Sequence, residues 1–216
     1  MDNPIFITGA PRSGKTLIAG VLDICGVFSG ATDGMLENIH VRDQIMARYL
    51  KQNGADPKGH NPIKSVSELS MPVGWRETVD NVIMREGYDD GPWMLKSAKL
   101  SLTWPVWQEA YPKAKWVIVR RRTGDIVDSC MKTDYMKTHD DKTGWIEMVR
   151  NYEDRFVEMI TEGVDCKVIW PQRMVHGDYS QVYELLDWLG IGWRTEILSY
   201  IDPKFWRTRT KKNKTT

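Results

Sequence analysis

Apolar positions along the chain fall into two alternating kinds of segment. Short runs with no polar alternation occur at Ile5-Phe6-Ile7, Trp93-Met94-Leu95 ahead of Lys96, 115–120 and 166–170. That pattern is expected of parallel strands covered on both faces. Between the runs come stretches with apolar residues at helical spacing: 14–22 with Leu17, Ile18, Val21 and Leu22, then 36–50, 73–85 and 100–111. A further helix runs through Met131, and 144–160 is a long amphipathic one carrying Trp145, Met148, Val149, Tyr152 and Phe156. Asp178 and Gln181 have the spacing of a capping box ahead of a helix through Leu189, which Gly190 stops. Residues 26–34 and 53–62 are dense in small and turn-forming types and read as exposed loops. Repeated strand and helix without an internal repeat predicts an α/β fold in three layers, its mostly parallel sheet flanked by helices.

Composition narrows this to one domain. A chain of 216 residues, 41% hydrophobic, supports a single α/β core over 1–206, leaving the basic stretch 207–216 as a flexible, solvated tail. A net charge of +1 provides no global field for nucleic acid or an anionic membrane, so any anion site has to be local. Cys25, Cys130 and Cys166 lie far apart in apolar stretches and read as reduced thiols rather than a disulfide or zinc framework. The four histidines show no metal-ligand spacing, and His60 and His139, in polar loops, are expected to be solvated. The chain enters a strand within four residues, and no apolar run approaches membrane-spanning length, which predicts a cytoplasmic protein.

The loop after the first strand carries the chemistry. Gly9-Ala10-Pro11-Arg12-Ser13-Gly14-Lys15-Thr16 fits the P-loop form G-x-x-x-x-G-K-[ST], set between an apolar strand and a helix as that motif requires, so the expected α/β arrangement is P-loop NTPase-like. Backbone N–H groups of such a loop, with the open N–H groups and positive dipole end of the helix, converge on one anion. Lys15 adds a point charge and Thr16 a hydroxyl. What the motif leaves open is which phosphate it holds. A magnesium-dependent kinase needs an acidic residue at the end of a second apolar strand. Here the strand ends carry Lys96, then Arg120-Arg121-Arg122, then Pro171-Gln172-Arg173. Cationic strand ends repel a metal and attract further anion.

On these residues the chain resembles the sulfotransferases that use 3′-phosphoadenosine 5′-phosphosulfate (PAPS). Pro11-Arg12-Ser13-Gly14-Lys15-Thr16 is similar to that family's first motif except at Lys15. The stretch 111–129 is similar to its second, an apolar strand and Arg121 followed by Asp125 and Ser129. Leu95-Lys96-Ser97 looks like its lysine-bearing segment, and 178–191 like its last helix. The resemblance implies PAPS as co-substrate, bound by Arg12, Ser13, Gly14, Lys15 and Thr16 at the 5′ end and by Arg121 and Ser129 at the 3′-phosphate, with no metal. It implies catalytic roles for Arg12, Lys15 and Lys96 at the departing oxygen. It also implies a small-molecule or carbohydrate acceptor, and neither nucleic acid nor membrane as partner. Two departures stand out. Lys15 completes a Walker pattern, which keeps a kinase using ATP and magnesium as an alternative, alongside a catalytically silent nucleotide-binding protein. Ala98 stands where cytosolic members place a histidine base, leaving Asp33 or Glu37 as the candidate base. Trp75, Trp93, Trp104 and Trp107, crowded near Lys96, are expected to line an acceptor pocket, and the basic tail offers a flap over the 3′-phosphate.

Overall fold

A computed structural model describes residues 1, 3–61, 63 and 65–201; the basic tail lies outside the described residues. Four strands, β1 (Ile5–Thr8), β2 (Met94–Lys96), β3 (Lys115–Val119) and β4 (Cys166–Ile169), form one sheet in the order β2-β1-β3-β4. All three pairings are parallel, with Ile7 opposite Lys96 on one side and Val117 on the other. The helices are α1 (Lys15–Ile24), α2 (Ala47–Gln52), α3 (Trp75–Arg85), α4 (Lys99–Leu102), α5 (Trp104–Ala110), α6 (Thr123–Met131), α7 (Lys142–Thr161), α8 (Pro171–Val175), α9 (Ser180–Leu189) and α10 (Glu196–Tyr200).

Because successive side chains on a strand point to opposite faces, each strand feeds two cores. Phe6, Leu95, Trp116 and Ile118 join the aromatic-rich side with Trp93, Trp107 and Trp145. Ile5, Ile7, Met94 and Val117 join the aliphatic side, where Ile18, Leu22, Leu185 and Ile197 pack. The three-layer α/β arrangement expected from the alternation is therefore present.

Several boundaries differ from expectation, each for a local reason. The helix expected at 36–50 starts later, as a π-helical turn over Val41–Met46 that runs into α2. Leu36 is left-handed (φ 58), which a helix cannot accommodate, and Asp33 Oδ1 accepts the N–H groups of Met35 and Glu37 to close a turn instead. The helix expected at 100–111 is broken at Thr103, because Pro105 in the first turn of α5 brings no N–H with which to continue α4. The capping box at Asp178 and Gln181 does not form. Asp178 Oδ1 accepts from the N–H and hydroxyl of Ser180, while Gln181 Oε1 accepts the Trp170 N–H, tying α9 to the end of β4. Gly190 does stop α9, with φ 72.

Candidate active site

The sheet order reverses about β1, and a crevice of about 540 Å³ opens beside the carboxyl ends of its strands, where open α/β sheets bind ligands. Its floor is the loop 9–14. Gly9 (φ 150) is pressed onto β3 so closely that a Cβ there would stand 2.3 Å from the Val119 carbonyl oxygen and 2.7 Å from Ser13 Oγ. Gly14 (φ 100) caps α1 without a side chain, and the helix begins at the crevice with Lys15 and Thr16, whose N–H groups precede the first intrahelical acceptor.

Of the residues expected at the nucleotide, Arg12, Gly14, Lys15, Thr16, Lys96 and Arg121 all line this crevice. Ser129 lies outside this lining, and so does Ser13, which is fully buried within the loop, its N–H bonded to the Ala10 carbonyl and its hydroxyl without a hydrogen-bond partner. Arg12 is held in a left-handed backbone conformation (φ 67), strain of the order of 1–3 kcal/mol for a non-glycine residue. Its Nε donates to Ser129 Oγ at 3.0 Å and its Nη1 to the Tyr135 hydroxyl at 2.7 Å. Arg121 Nη1 donates to the Arg12 carbonyl at 3.1 Å. The two residues proposed for a second phosphate, Arg121 at the exit of β3 and Ser129 on α6, thus meet at Arg12. The neighbouring arginines do other work. Arg120 pairs with Glu153 and lies over the Trp170 ring, and Arg122 is exposed at the start of α6.

Lys15 folds back onto its own loop, donating to the Gly9 and Ala10 carbonyls at 3.0 and 2.8 Å. Burial, and next the neighbouring Lys96 charge, lower its pKa from 10.5 to about 7. Lys96, also buried, donates to the Met35 carbonyl at 2.7 Å, and its Nζ stands 3.5 Å from the Thr16 hydroxyl. Burial depresses its pKa too, against the pull of Glu37 and Asp33. A cation therefore stands beside Thr16 where a magnesium site would put a carboxylate. This donor set, two buried amines crowded together with Arg12 and Arg121, fits an anion that would relieve their mutual repulsion.

The two candidate bases are separated by their surroundings. Asp33 is engaged: besides the two backbone N–H groups, Arg42 Nη1 donates to its Oδ2 at 2.6 Å. Burial works against its ionisation, but the Glu37 and Met35 N–H groups, with Lys96 and Arg42, outweigh it and hold the carboxyl below its usual range. Glu37 lines the crevice, with Lys99 Nζ 3.9 Å from its Oε1.

Two expectations are overturned. The four tryptophans near Lys96 line no crevice: Trp93 and Trp107 are fully buried, Trp75 and Trp104 nearly so, all within the aromatic core. Once Phe6 enters that layer, four rings surround it edge-on, which is where the crowding comes from. His60 is not solvated but 7% exposed, edge-on to Trp145, with Nδ1 bonded to Thr138 Oγ1 at 2.7 Å. The crevice also recruits Lys99, Lys58, His60, Tyr135 and Tyr200, which the sequence reading left out. Lys99 follows Lys96 by three residues, across the junction from β2 to α4, a nearness that could have flagged it. The others arrive from distant segments with no local signal.

No protein-family profile and no curated protein matches the chain. Solved structures do. The sulfotransferase domain of the olefin synthase from Synechococcus PCC 7002 superposes with a TM-score of 0.60 at 15% identity, over 93% of this chain and 78% of that one. The sulfotransferase domain of the curacin biosynthetic pathway gives 0.60 at 12% identity over the same shares, 93% and 78%. Sulfotransferase STF1 from Mycobacterium tuberculosis H37Rv gives 0.52 at 13%, covering 93% of this chain and 71% of that one. The architecture is thus the sulfotransferase fold, an α/β P-loop-like sheet, as the motif resemblance implied.

Proposed function

We propose that the protein is a sulfotransferase that moves the sulfuryl group of PAPS to a hydroxyl or amine acceptor. The observation that carries this reading is the convergence of Arg12, Lys15, Lys96 and Arg121, from three strand exits, on one crevice over a P-loop. The loop and the first turn of α1, with Gly14, Lys15 and Thr16, hold the 5′ end of the nucleotide, and Arg121 with Ser129 holds the 3′-phosphate. Bound PAPS supplies an activated sulfur with adenosine 3′,5′-bisphosphate as leaving group. The acceptor oxygen or nitrogen forms its bond to sulfur as the bond from sulfur to the bridging phosphate oxygen breaks, and the acceptor proton passes to Glu37. Charge grows on the departing oxygen, where Lys15, Lys96 and Arg12 are fixed in a desolvated setting and so favour the transition state over the ground state. Lys99 Nζ, 3.9 Å from Glu37 Oε1, flanks that carboxylate at the crevice.

A kinase reading draws on Lys15 and Thr16 and is opposed by the ammonium group beside the Thr16 hydroxyl. Melting curves separate the two. Adenosine 3′,5′-bisphosphate at 100 times its dissociation constant is expected to stabilise the protein by about 2.7 kcal/mol without magnesium. Arg121→Ala should reduce that response, and Lys96→Ala should cut transfer of radiolabelled sulfate from PAPS by about 10²-fold or more while sparing binding. A response confined to ATP with magnesium would replace this proposal with phosphoryl transfer.

A further inference from the structure

Beyond the residues assigned to the nucleotide, the crevice has a second basic wall. Lys58 and His60, from the loop 53–61, and Lys99, from α4, line it together with Glu37, which Lys99 Nζ approaches to 3.9 Å and which is the one carboxylate among the lining residues described. This wall is built. Asp56 accepts the N–H groups of Lys58 at 2.9 Å and His60 at 3.0 Å, which shapes the turn. The Tyr152 hydroxyl, from the buried face of α7, donates to the Gly59 carbonyl at 2.8 Å, and His139 Nε2 donates to the His60 carbonyl at 3.1 Å. Gly59 (φ 70) is pressed against Lys99: a Cβ there would lie 3.2 Å from Lys99 Cγ and 2.8 Å from the Tyr152 hydroxyl. The contact aligns the Lys99 stem with the Lys58–His60 turn and leaves it only 12% exposed.

Cations outnumber carboxylates along the crevice lining. Arg12, Lys15, Lys96 and Arg121 answer the phosphosulfate and 3′-phosphate of the carrier; Lys58 and Lys99 remain, with one carboxylate, Glu37, for both. Lys99 beside the proposed base, the exposed Lys58 and an imidazole held by a hydrogen bond to Thr138 line one crevice and offer it a set of donors for negative charge. Burial, the main influence on the His60 ring, lowers its pKa in spite of Asp56, which makes it a neutral hydrogen-bonding group beside the two cations.

We infer that the acceptor carries its own anionic group, a carboxylate, sulfate or phosphate near the reacting hydroxyl or amine, and that Lys58 and Lys99 select for it with His60 as a hydrogen-bonding partner. This inference rests on the sulfotransferase reading for the identity of the reacting group. A neutral acceptor would leave both ammonium groups without a counterpart on the ligand, whereas an anionic one forms charge-assisted bonds while Glu37 faces the nucleophile.

The test uses matched pairs, glucose and glucuronate, N-acetylglucosamine and its 6-sulfate, and 4-hydroxybenzyl alcohol and 4-hydroxybenzoate. Binding is followed by saturation-transfer NMR with adenosine 3′,5′-bisphosphate present, and transfer from radiolabelled PAPS is measured in parallel. Anionic members should bind at least tenfold more tightly than their neutral partners. Lys58→Gln with Lys99→Gln should erase that preference, leaving the bisphosphate melting shift in place. Equal binding of both members, no binding of any anionic member, or a preference that survives the double substitution overturns the inference. So does a double variant that loses bisphosphate affinity instead, which would assign the wall to the nucleotide. The sulfotransferase reading is judged separately, by the bisphosphate shift and by transfer to any acceptor. A single Gly59→Ala variant with intact melting behaviour but a weakened anionic preference would tie the selectivity to the shape of this turn.

Discussion

Gly9 does more for this site than the motif consensus conveys. Its motif position was legible at once, and the usual account of such a glycine is an open backbone approach to phosphate. Here the tighter constraint comes from beneath, where the missing side chain lets the loop rest on the Val119 carbonyl and over buried Ser13. Gly9→Ala should therefore cost about 1–3 kcal/mol through overpacking and weaken bisphosphate binding with it, both readable by urea unfolding and melting shifts. Stability unchanged from the parent protein would mean the loop can lift off β3. At the same scale Arg12, Lys15, Lys96 and Arg121 were legible because each sits at a fixed offset from a strand end. Lys58, His60 and Tyr135 were not, since their place depends on side-chain anchors such as Thr138, Tyr152 and Arg12 that lie far away in sequence.

Among the elements, the strands were the most legible because two-sided burial leaves no polar alternation to confuse them. Helix starts were least legible where side chains compete for the backbone, as Asp33 does before the π-helical turn and Asp178 and Gln181 do around α9. Tryptophans pose a different difficulty. Crowding near Lys96 looks the same in one dimension whether the rings face a ligand or each other, and only the alternation of β1 decides it, sending Phe6 into the aromatic layer. Phe6 meets Trp93, Trp107, Tyr111 and Trp116 with centroids at 6.5, 5.5, 5.7 and 4.8 Å. Phe6→Ala should destabilise the protein by about 3–5 kcal/mol, the range for a large aromatic removed from a packed core, with denaturant unfolding as the measurement. A loss below about 1 kcal/mol would mean that the aromatic layer closes over the gap.

At the scale of the molecule, a net charge of +1 conceals a crevice in which amines are buried and cations crowd together, and Lys15 bears the consequence of both. Its amine titrates at about 7 in the fold against 10.5 as the ordinary value. Between those limits the unfolded chain binds more protons than the folded one. Lys15 therefore favours the folded state increasingly as pH climbs through the window, and counts against it as pH falls back toward 7. A bound phosphate reverses the local field and restores the proton. Bisphosphate binding near pH 8 should accordingly take up protons, and affinity should fall between about pH 7 and 9, as calorimetry in buffers of differing ionisation enthalpy would reveal. Lys15→Met should flatten that profile; an unaltered profile would place the titration elsewhere.

The same parallel sheet imposes an order on events during folding. Contacts that shape the crevice join residues far apart along the chain: Thr8 with Ala98, 90 positions away, Thr16 with Lys96 at 80, and Arg12 with Ser129 at 117. Bridging separations of that size pays loop-closure entropy before any contact repays it. A nascent or clipped chain reaching only as far as α1 would hold the consensus octapeptide and none of its electrostatic companions, so anion capture is a late achievement of this polypeptide rather than a property its opening segment could exhibit by itself.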